Sequence, residues 1–315
     1  MTNIVFMGTP DFSVPILNRL IEEGYTISLV VTQPDRPKGR KKVMTAPPVK
    51  EVAESHGIDV LQPEKIKESY QDILAYEPDL LITAAYGQIL PEALLEYPEL
   101  GAINVHASLL PELRGAAPIH YALMQGKKET GVTIMYMVKA LDAGDMLSKT
   151  VVGIEETDNV GTLHDKLSEA GARLLTETLP GLIDETMVAE PQQHEAATFA
   201  PTIKRGEERI DFSRSKEEVQ NHIRGMSPWP VAYTKWEGQP LKLWRSIEGS
   251  KTHNDRPGTI LDKSPEGIVV ACGDGGSVIL TELQPSGKKR MDAASFVNGV
   301  GQTMNIGDVL GESDE

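Results

Sequence analysis

Cysteine is almost missing from this 315-residue chain: Cys272 stands alone. That excludes an internal disulfide framework and any cysteine-rich metal site. Cys272 lies in a Gly- and Asp-rich stretch with no histidine close in sequence, so it reads as an idle buried thiol rather than a nucleophile. Long apolar runs are missing too, and none approaches the roughly 20 residues that a membrane span requires. The opening Met-Thr-Asn-Ile-Val-Phe-Met-Gly-Thr-Pro-Asp has too short an apolar run for a signal peptide and no basic leader. A cytoplasmic protein with no membrane partner is expected. Positive charge is scarce: 31 Lys and Arg face 46 Asp and Glu, for a net −15. Taken alone, that balance argues against general nucleic-acid binding. It is uneven, because residues 205–315 hold 14 bases and 17 acids and most of the deficit falls in 1–204.

Three chemical signatures are also absent. The first strand-to-helix turn has only Gly8 where a dinucleotide fold carries Gly-x-Gly-x-x-Gly, which speaks against NAD or FAD. No serine sits in a Gly-x-Ser-x-Gly elbow, and Ser108 precedes Leu-Leu-Pro instead. Apart from His106, the histidines lie scattered at 56, 120, 164, 194, 222 and 253 without ligand spacing, so no metal is expected. His120 reads as a residue on a helix face.

The length suits two domains. Residues 3–9 form an apolar strand, followed by Phe12, Val14, Ile16, Leu17, Leu20 and Ile21 at helical spacing. Strands at 27–32, 60–61, 80–85, 103–106, 133–138 and 149–154 alternate with helices near 49–56, 69–76, 118–124 and 160–186. Such alternation predicts an α/β fold with a doubly wound, mostly parallel sheet. Periodicity fades through Glu190-Pro191-Gln192-Gln193, so the boundaries expected are a catalytic domain over 1–187, a linker over 188–205 and a C-terminal domain over 206–315. After a helix at 215–226, short β-rich pieces recur between Gly and Pro turns: 232–236, 241–246, 258–261, 267–271 and 278–283. They predict a small OB-like β-barrel, with an SH3-like barrel as the alternative. Trp229, between two prolines, reads as a packed anchor rather than a stacking platform.

Asn104 and His106 sit two apart in Gly-Ala-Ile-Asn-Val-His, a short strand, and therefore share a face. An amide donor beside an imidazole at a strand end suits a developing oxyanion. Asp142, in Leu-Asp-Ala-Gly-Asp, can orient or charge that imidazole. His106 or Asp142, directly or through one water, can take the proton of an attacking amine. The plainer reading is a pair of polar caps and, at Asp142 and Asp145, a glycine turn. Arg36, Lys38, Arg40, Lys41 and Lys42 cluster with only Asp35 opposing them, either a solvated loop or a grip on phosphates.

Asn-Val-His-Ala-Ser-Leu-Leu-Pro (104–111), Arg-Gly-Ala-Ala-Pro (114–118) and Leu-Asp-Ala-Gly-Asp (141–145) together resemble the folate-dependent formyltransferases. The resemblance implies Asn104, His106 and Asp142 as catalytic residues, and Ser108, Leu109, Leu110 and Pro111 as the segment lining the site for 10-formyltetrahydrofolate, the formyl donor. Further stretches resemble the branch of that family whose acceptor is methionine esterified to initiator tRNA. They are Gly-Thr-Pro-Asp-Phe (8–12), Thr-Gln-Pro-Asp-Arg-Pro (32–37), Ala-Tyr-Gly (85–87), Ser-Pro-Trp-Pro (227–230) and Gln-Pro-Ser-Gly-Lys-Lys (284–289). In that branch a loop after the second strand enters the tRNA acceptor stem. The resemblance therefore implies tRNA contacts for Arg36, Lys38, Arg40, Lys41 and Lys42, with Arg40 foremost. Lys204, Arg205, Lys288 and Lys289 extend the basic set. Rival acceptors within the family are glycinamide ribonucleotide and sugar amines; outside it stands a tRNA-binding factor without catalysis. No coiled-coil pattern suggests a second copy, and a monomer is expected.

Overall fold

A strand that is apolar on both faces must lie in a sheet covered on both sides, and Ile4-Val5-Phe6-Met7 and Leu80-Leu81-Ile82 are of that kind. The structure, a computed structural model, describes residues 2–39 and 41–311. Its elements run β1 (Asn3–Gly8), α1 (Ser13–Glu22), β2 (Thr26–Val31), β3 (Arg36–Lys38), β4 (Val43–Thr45), α2 (Pro48–Ser55), β5 (Asp59–Leu61), α3 (Ile66–Leu74), β6 (Leu80–Ala84), α4 (Glu92–Leu95), β7 (Ala102–His106), α5 (Pro118–Met124), β8 (Glu129–Tyr136), β9 (Met146–Gly153) and α6 (Val160–Ile183). They continue with α7 (Lys216–Gly225), β10 (Ala232–Trp236), β11 (Gln239–Gly249), β12 (Ile260–Ser264), β13 (Gly267–Ala271), β14 (Ser277–Pro285), β15 (Met291–Asp292) and α8 (Ala293–Asn298).

The chain forms two compact units. One holds everything up to Pro118 with Glu129–Gly153 and His164–Pro201; the other holds Ile119–Lys128, Ile154–Leu163 and the chain from Thr202 onward. In the first, seven strands run in the order β5-β2-β1-β6-β7-β8-β9. The first five are mutually parallel, and β8 and β9 close the edge antiparallel. Alternation along β1 sends Val5 and Met7 to one face, where they pack with Leu29, Val31, Ile66, Ile73 and Leu81. Ile4 and Phe6, on the other face, are equally buried. The helix α6 comes close to that sheet at Gly171, where an added Cβ would stand 2.9 Å from Val105 Cγ1.

From β1 the chain winds outward through β2 to β5, then crosses back to β6 and β7. That reversal falls at the carboxyl ends of β1 and β6, the place where open α/β sheets receive ligands. Thr9, just past β1, donates its hydroxyl to the carbonyl of Tyr86, just past β6, at 2.9 Å.

Where the sequence suggests a basic loop, β3 and β4 pair as a short antiparallel hairpin, with Arg36 opposite Thr45 and Lys38 opposite Val43. Three-residue strands carry too little alternation to be read, and Pro37 argues against a strand unless it lies at an edge. At the turn Gly39 (φ 72°) and Lys42 (φ 49°) take left-handed conformations. Val43 and Met44 are exposed.

The second unit is an antiparallel β domain in the order β10-β11-β14-β13-β12, with β15 added on β14. Phe212, Val219, Ile223, Leu241, Leu243, Ile268, Leu280 and Phe296 form its core. The helix α7 begins with a capping box, Ser215 and Glu218 each satisfying the other's backbone N–H. Trp229 departs from the sequence expectation: it is 66% exposed, and its ring lies edge-to-face with that of His120, centroids 6.0 Å apart. Cys272 is buried, and burial, with Asp274 nearby, pushes its thiol up to about 12. Among the described residues no helix is long and apolar enough to cross a membrane.

Candidate active site

The strand β7 ends at His106, and the register sets Asn104 beside Thr83 of β6 and His106 beside Thr133 of β8. Asn104 and His106 therefore project from the same face of the sheet near its carboxyl edge. The Thr83 hydroxyl donates to Asn104 Oδ1 at 2.7 Å. With its oxygen held, Asn104 turns Nδ2 and its two N–H groups the other way, and no partner meets them among the described residues.

His106 is 6% exposed and engaged on both sides of the ring. Its Nε2 lies 3.1 Å from the carbonyl of Leu113, which requires an N–H there. Its Nδ1 lies 3.7 Å from Asp142 Oδ2, within ion-pair reach but longer than a hydrogen bond. The same carboxylate oxygen accepts the backbone N–H of Gly115 at 2.8 Å. Asp142 is thus fixed by the Arg-Gly-Ala-Ala-Pro segment, which the sequence places close in function but not in contact. A φ of 121° and an Ala200 carbonyl 2.7 Å from any added Cβ reserve position 115 for glycine.

The segment 108–111 forms the turn that follows His106. Ser108 is buried, and its hydroxyl donates to the carbonyl of Glu112 at 2.6 Å. Thr133 Oγ1 donates to the Ser108 carbonyl at 2.7 Å and accepts from the Leu110 N–H at 3.1 Å. Leu110 packs with Met135 and Met146. Leu109 and Pro111 stay half-buried. Toward a ligand the segment therefore offers shape and backbone, since its one hydroxyl is already used.

Sequence reasoning missed Thr83 and the Leu113 carbonyl. A single threonine in the otherwise apolar run Leu-Leu-Ile-Thr-Ala was the available signal for the first. No sequence signal marks which carbonyl an imidazole will meet seven residues on.

The basic residues are distributed over both units. In the hairpin of the first unit, Lys38, Lys41 and Lys42 are exposed and, among the described residues, face no carboxylate; Arg36 pairs with Glu64 at 2.8 Å. Arg40 lies outside the described residues. At the hairpin's root, Lys50 and Gln62 both bond Asp35, and these bonds hold its carboxyl below the usual carboxylate range. In the second unit Lys204, Arg205, Lys288 and Lys289 are exposed. Arg290 pairs with Glu282 and lies over the Trp244 ring at 4.6 Å.

Comparison with known proteins agrees with this layout. The family described as "Formyl transferase" matches residues 2–179, and "Formyl transferase, C-terminal domain" matches 202–301. A methionyl-tRNA formyltransferase from Bacillus subtilis (strain 168) is 61% identical over 100% of this chain and 99% of its own. One from Geobacillus thermodenitrificans (strain NG80-2) is 57% identical with the same coverage. Among solved structures, HypX from Aquifex aeolicus in complex with tetrahydrofolic acid shares the fold at 17% identity and a TM-score of 0.66, over 97% of this chain and 48% of that one. The methionyl-tRNA formyltransferase from Clostridium thermocellum shares it at 15% identity and a TM-score of 0.55, over 78% and 93%. Full-length identity of this order, with both domain families matched in sequence, makes the chain a transferase that belongs to the formyl transferase family, in its methionyl-tRNA formyltransferase branch.

Proposed function

We propose that the protein transfers the formyl group of 10-formyltetrahydrofolate to the α-amino group of methionine esterified to initiator tRNA, the step that readies this tRNA for translation initiation. The reading rests above all on one observation. Asn104, its amide N–H groups without a partner among the described residues, stands beside an imidazole held between the Leu113 carbonyl and the Asp142 carboxylate. The full-length likeness to relatives named methionyl-tRNA formyltransferase supports the acceptor.

The chemistry follows from these groups. The amine nitrogen attacks the formyl carbon, the new C–N bond forms, and negative charge gathers on the formyl oxygen. Asn104 Nδ2 and a protonated His106 Nδ1 are the donors for that oxygen, and one such donor is typically worth on the order of 10²–10³ in rate. The Asp142 carboxylate, 3.7 Å from Nδ1, is the counter-charge beside that donor. As the tetrahedral centre collapses, the bond to N10 of the folate breaks. The proton released by the amine ends on that nitrogen through Asp142, directly or over one water, or through His106 once the ring has given its Nδ1 proton to N10. A free α-amino group has a pKa near 7.7–8.0, so about a tenth or more is neutral at pH 7 and a weak base suffices.

Direct transfer is favoured over an acyl-enzyme. The Ser108 hydroxyl is committed to Glu112, and Cys272 is a buried, protonated thiol in the other unit. Ser108, Leu109, Leu110 and Pro111 are assigned to the folate. Arg36, Lys38, Arg40, Lys41, Lys42, Lys204, Arg205, Lys288 and Lys289 are assigned to tRNA, where phosphate contacts make affinity fall steeply with salt. The test is transfer of labelled formyl from 10-formyltetrahydrofolate to Met-tRNA, with glycinamide ribonucleotide offered as competing acceptor. Formyl-Met-tRNA is the expected product; label on glycinamide ribonucleotide alone, or on neither, rejects the reading.

A further inference from the structure

Gln192 has none of the roles assigned above, yet it is 5% exposed and all the bonding capacity of its amide is used. Its Nε2 donates to the carbonyls of Asp142 at 2.9 Å and Gly144 at 2.7 Å. Its Oε1 accepts from Arg114 Nε at 3.1 Å and Nη2 at 2.6 Å. The amide cannot turn over: its oxygen would then face two carbonyls and its NH₂ a guanidinium. Arg114 is itself buried, with Gln192 and His194 Nδ1 as its side-chain partners and no carboxylate in ion-pair reach among the described residues. Reciprocal backbone bonds at 2.8 Å between Met146 and Glu190, two residues earlier, hold Gln192 in place.

The turn that Gln192 grips has little of its own to define it. Asp142 sits at φ 46°, a left-handed conformation costing a non-glycine residue roughly 1–2 kcal/mol. Gly144 tolerates no side chain, since a Cβ would stand 1.9 Å from the Tyr136 carbonyl. Within the turn, Ala143 N–H reaches Ala140 only at 3.4 Å. The bonds close a ring: the Arg114 side chain holds Gln192, Gln192 holds both carbonyls of the turn, and the Asp142 carboxylate returns to the N–H of Gly115, next to Arg114.

We propose that Gln192 is a positioning residue: by clamping the 142 and 144 carbonyls to Arg114 it sets the direction of the Asp142 carboxylate toward His106. This rests on the formyl-transfer reading above. A misplacement of about 1 Å at a reacting group can cost on the order of 10²-fold in rate.

Two variants separate clamping from mere satisfaction of Arg114. Gln192→Glu keeps an acceptor for the guanidinium but sets a carboxylate against two carbonyls, while Gln192→Met removes both functions. Steady-state formylation of Met-tRNA is measured well below the melting temperature, with KM determined for each substrate. Gln192→Glu is expected to lower kcat about 10–100-fold with both KM values within about twofold of wild type, and folded Gln192→Met to match it. Wild-type kcat in either folded variant overturns the proposal, as does a loss expressed only in KM. Failure of both variants to fold assigns Gln192 to the fold and overturns it equally. A wild-type protein that formylates no Met-tRNA instead refutes the functional reading, so the two failures are distinguishable.

Discussion

In the first unit His106 has a backbone carbonyl on one ring nitrogen and a carboxylate 3.7 Å from the other. In the second unit His120 and His222 each have the carbonyl, Gly225 at 2.8 Å and Glu207 at 2.7 Å, but no acid in ion-pair reach among the described residues. All three rings meet a backbone carbonyl, and a histidine count makes them equivalent. The acid on the far nitrogen distinguishes them. Burial pulls the pKa of His120 down against its carbonyl bond, and it pulls that of His222 down against its carbonyl bond and the charges of Glu207 and Asp211, with Arg214 adding to the fall. A half-buried histidine of that kind prefers to be neutral. His106 instead has a carboxylate opposite and an amide donor beside it, the arrangement on which the proposed function rests.

That contrast can be broken or sharpened by experiment. The largest effect is expected of Asn104→Ala, which should cut kcat by about 10²–10³ in labelled formyl transfer with little change in thermal unfolding. Wild-type turnover would remove the amide from the mechanism. Thr83→Val keeps the shape of β6 but releases Asn104 Oδ1. A fall in kcat of about tenfold is expected, smaller than truncating the amide because Nδ2 remains. Equality with wild type would show that the amide needs no partner to face the site.

Changing Lys38, Lys41 and Lys42 together to Ala should raise KM for Met-tRNA about tenfold. It should also flatten the logarithmic salt dependence by about 2–3, one contact contributing roughly 0.7–0.9, and leave KM for the folate unchanged. An equal rise in folate KM would contradict the hairpin's assigned role. The smallest effect concerns acid. His120 and His222 prefer to be neutral in the folded protein, so their contribution to stability is full above about pH 6.5 and declines as pH falls from there toward their lowered folded values. Melting temperature should therefore drop between pH 7.5 and 5.5, and less so in His120→Gln. An identical drop in that variant would exclude His120 as a source.

The sequence was most legible where burial is symmetrical. The runs in β1 and β6 could only be inner strands, and their alternation with helices led directly to the parallel sheet. The hairpin β3–β4 was illegible because neither strand has a buried face, so no pattern separates it from a loop. At the candidate site, Asn104 and His106 were readable because a strand has a fixed period, and Asp142 because it sits in a recognisable turn. The structure brings His106 and Asp142 within ion-pair reach. What holds them was not readable. Thr83 precedes Asn104 by 21 residues and Gln192 follows Asp142 by 50, and such partners are set by sheet order and by the return of the chain after α6. Trp229 shows the opposite failing: its type and its prolines suggested packing, but the side chain is 66% exposed.

The most direct test compares His106→Ala with His120→Ala in one assay of formyl transfer to Met-tRNA, with melting temperature recorded for both. Loss of His106 should lower kcat by about 10² or more while the protein still folds, and loss of His120 should lower the melting temperature while kcat per folded molecule stays at the wild-type value. Full turnover in His106→Ala would contradict the account at its centre.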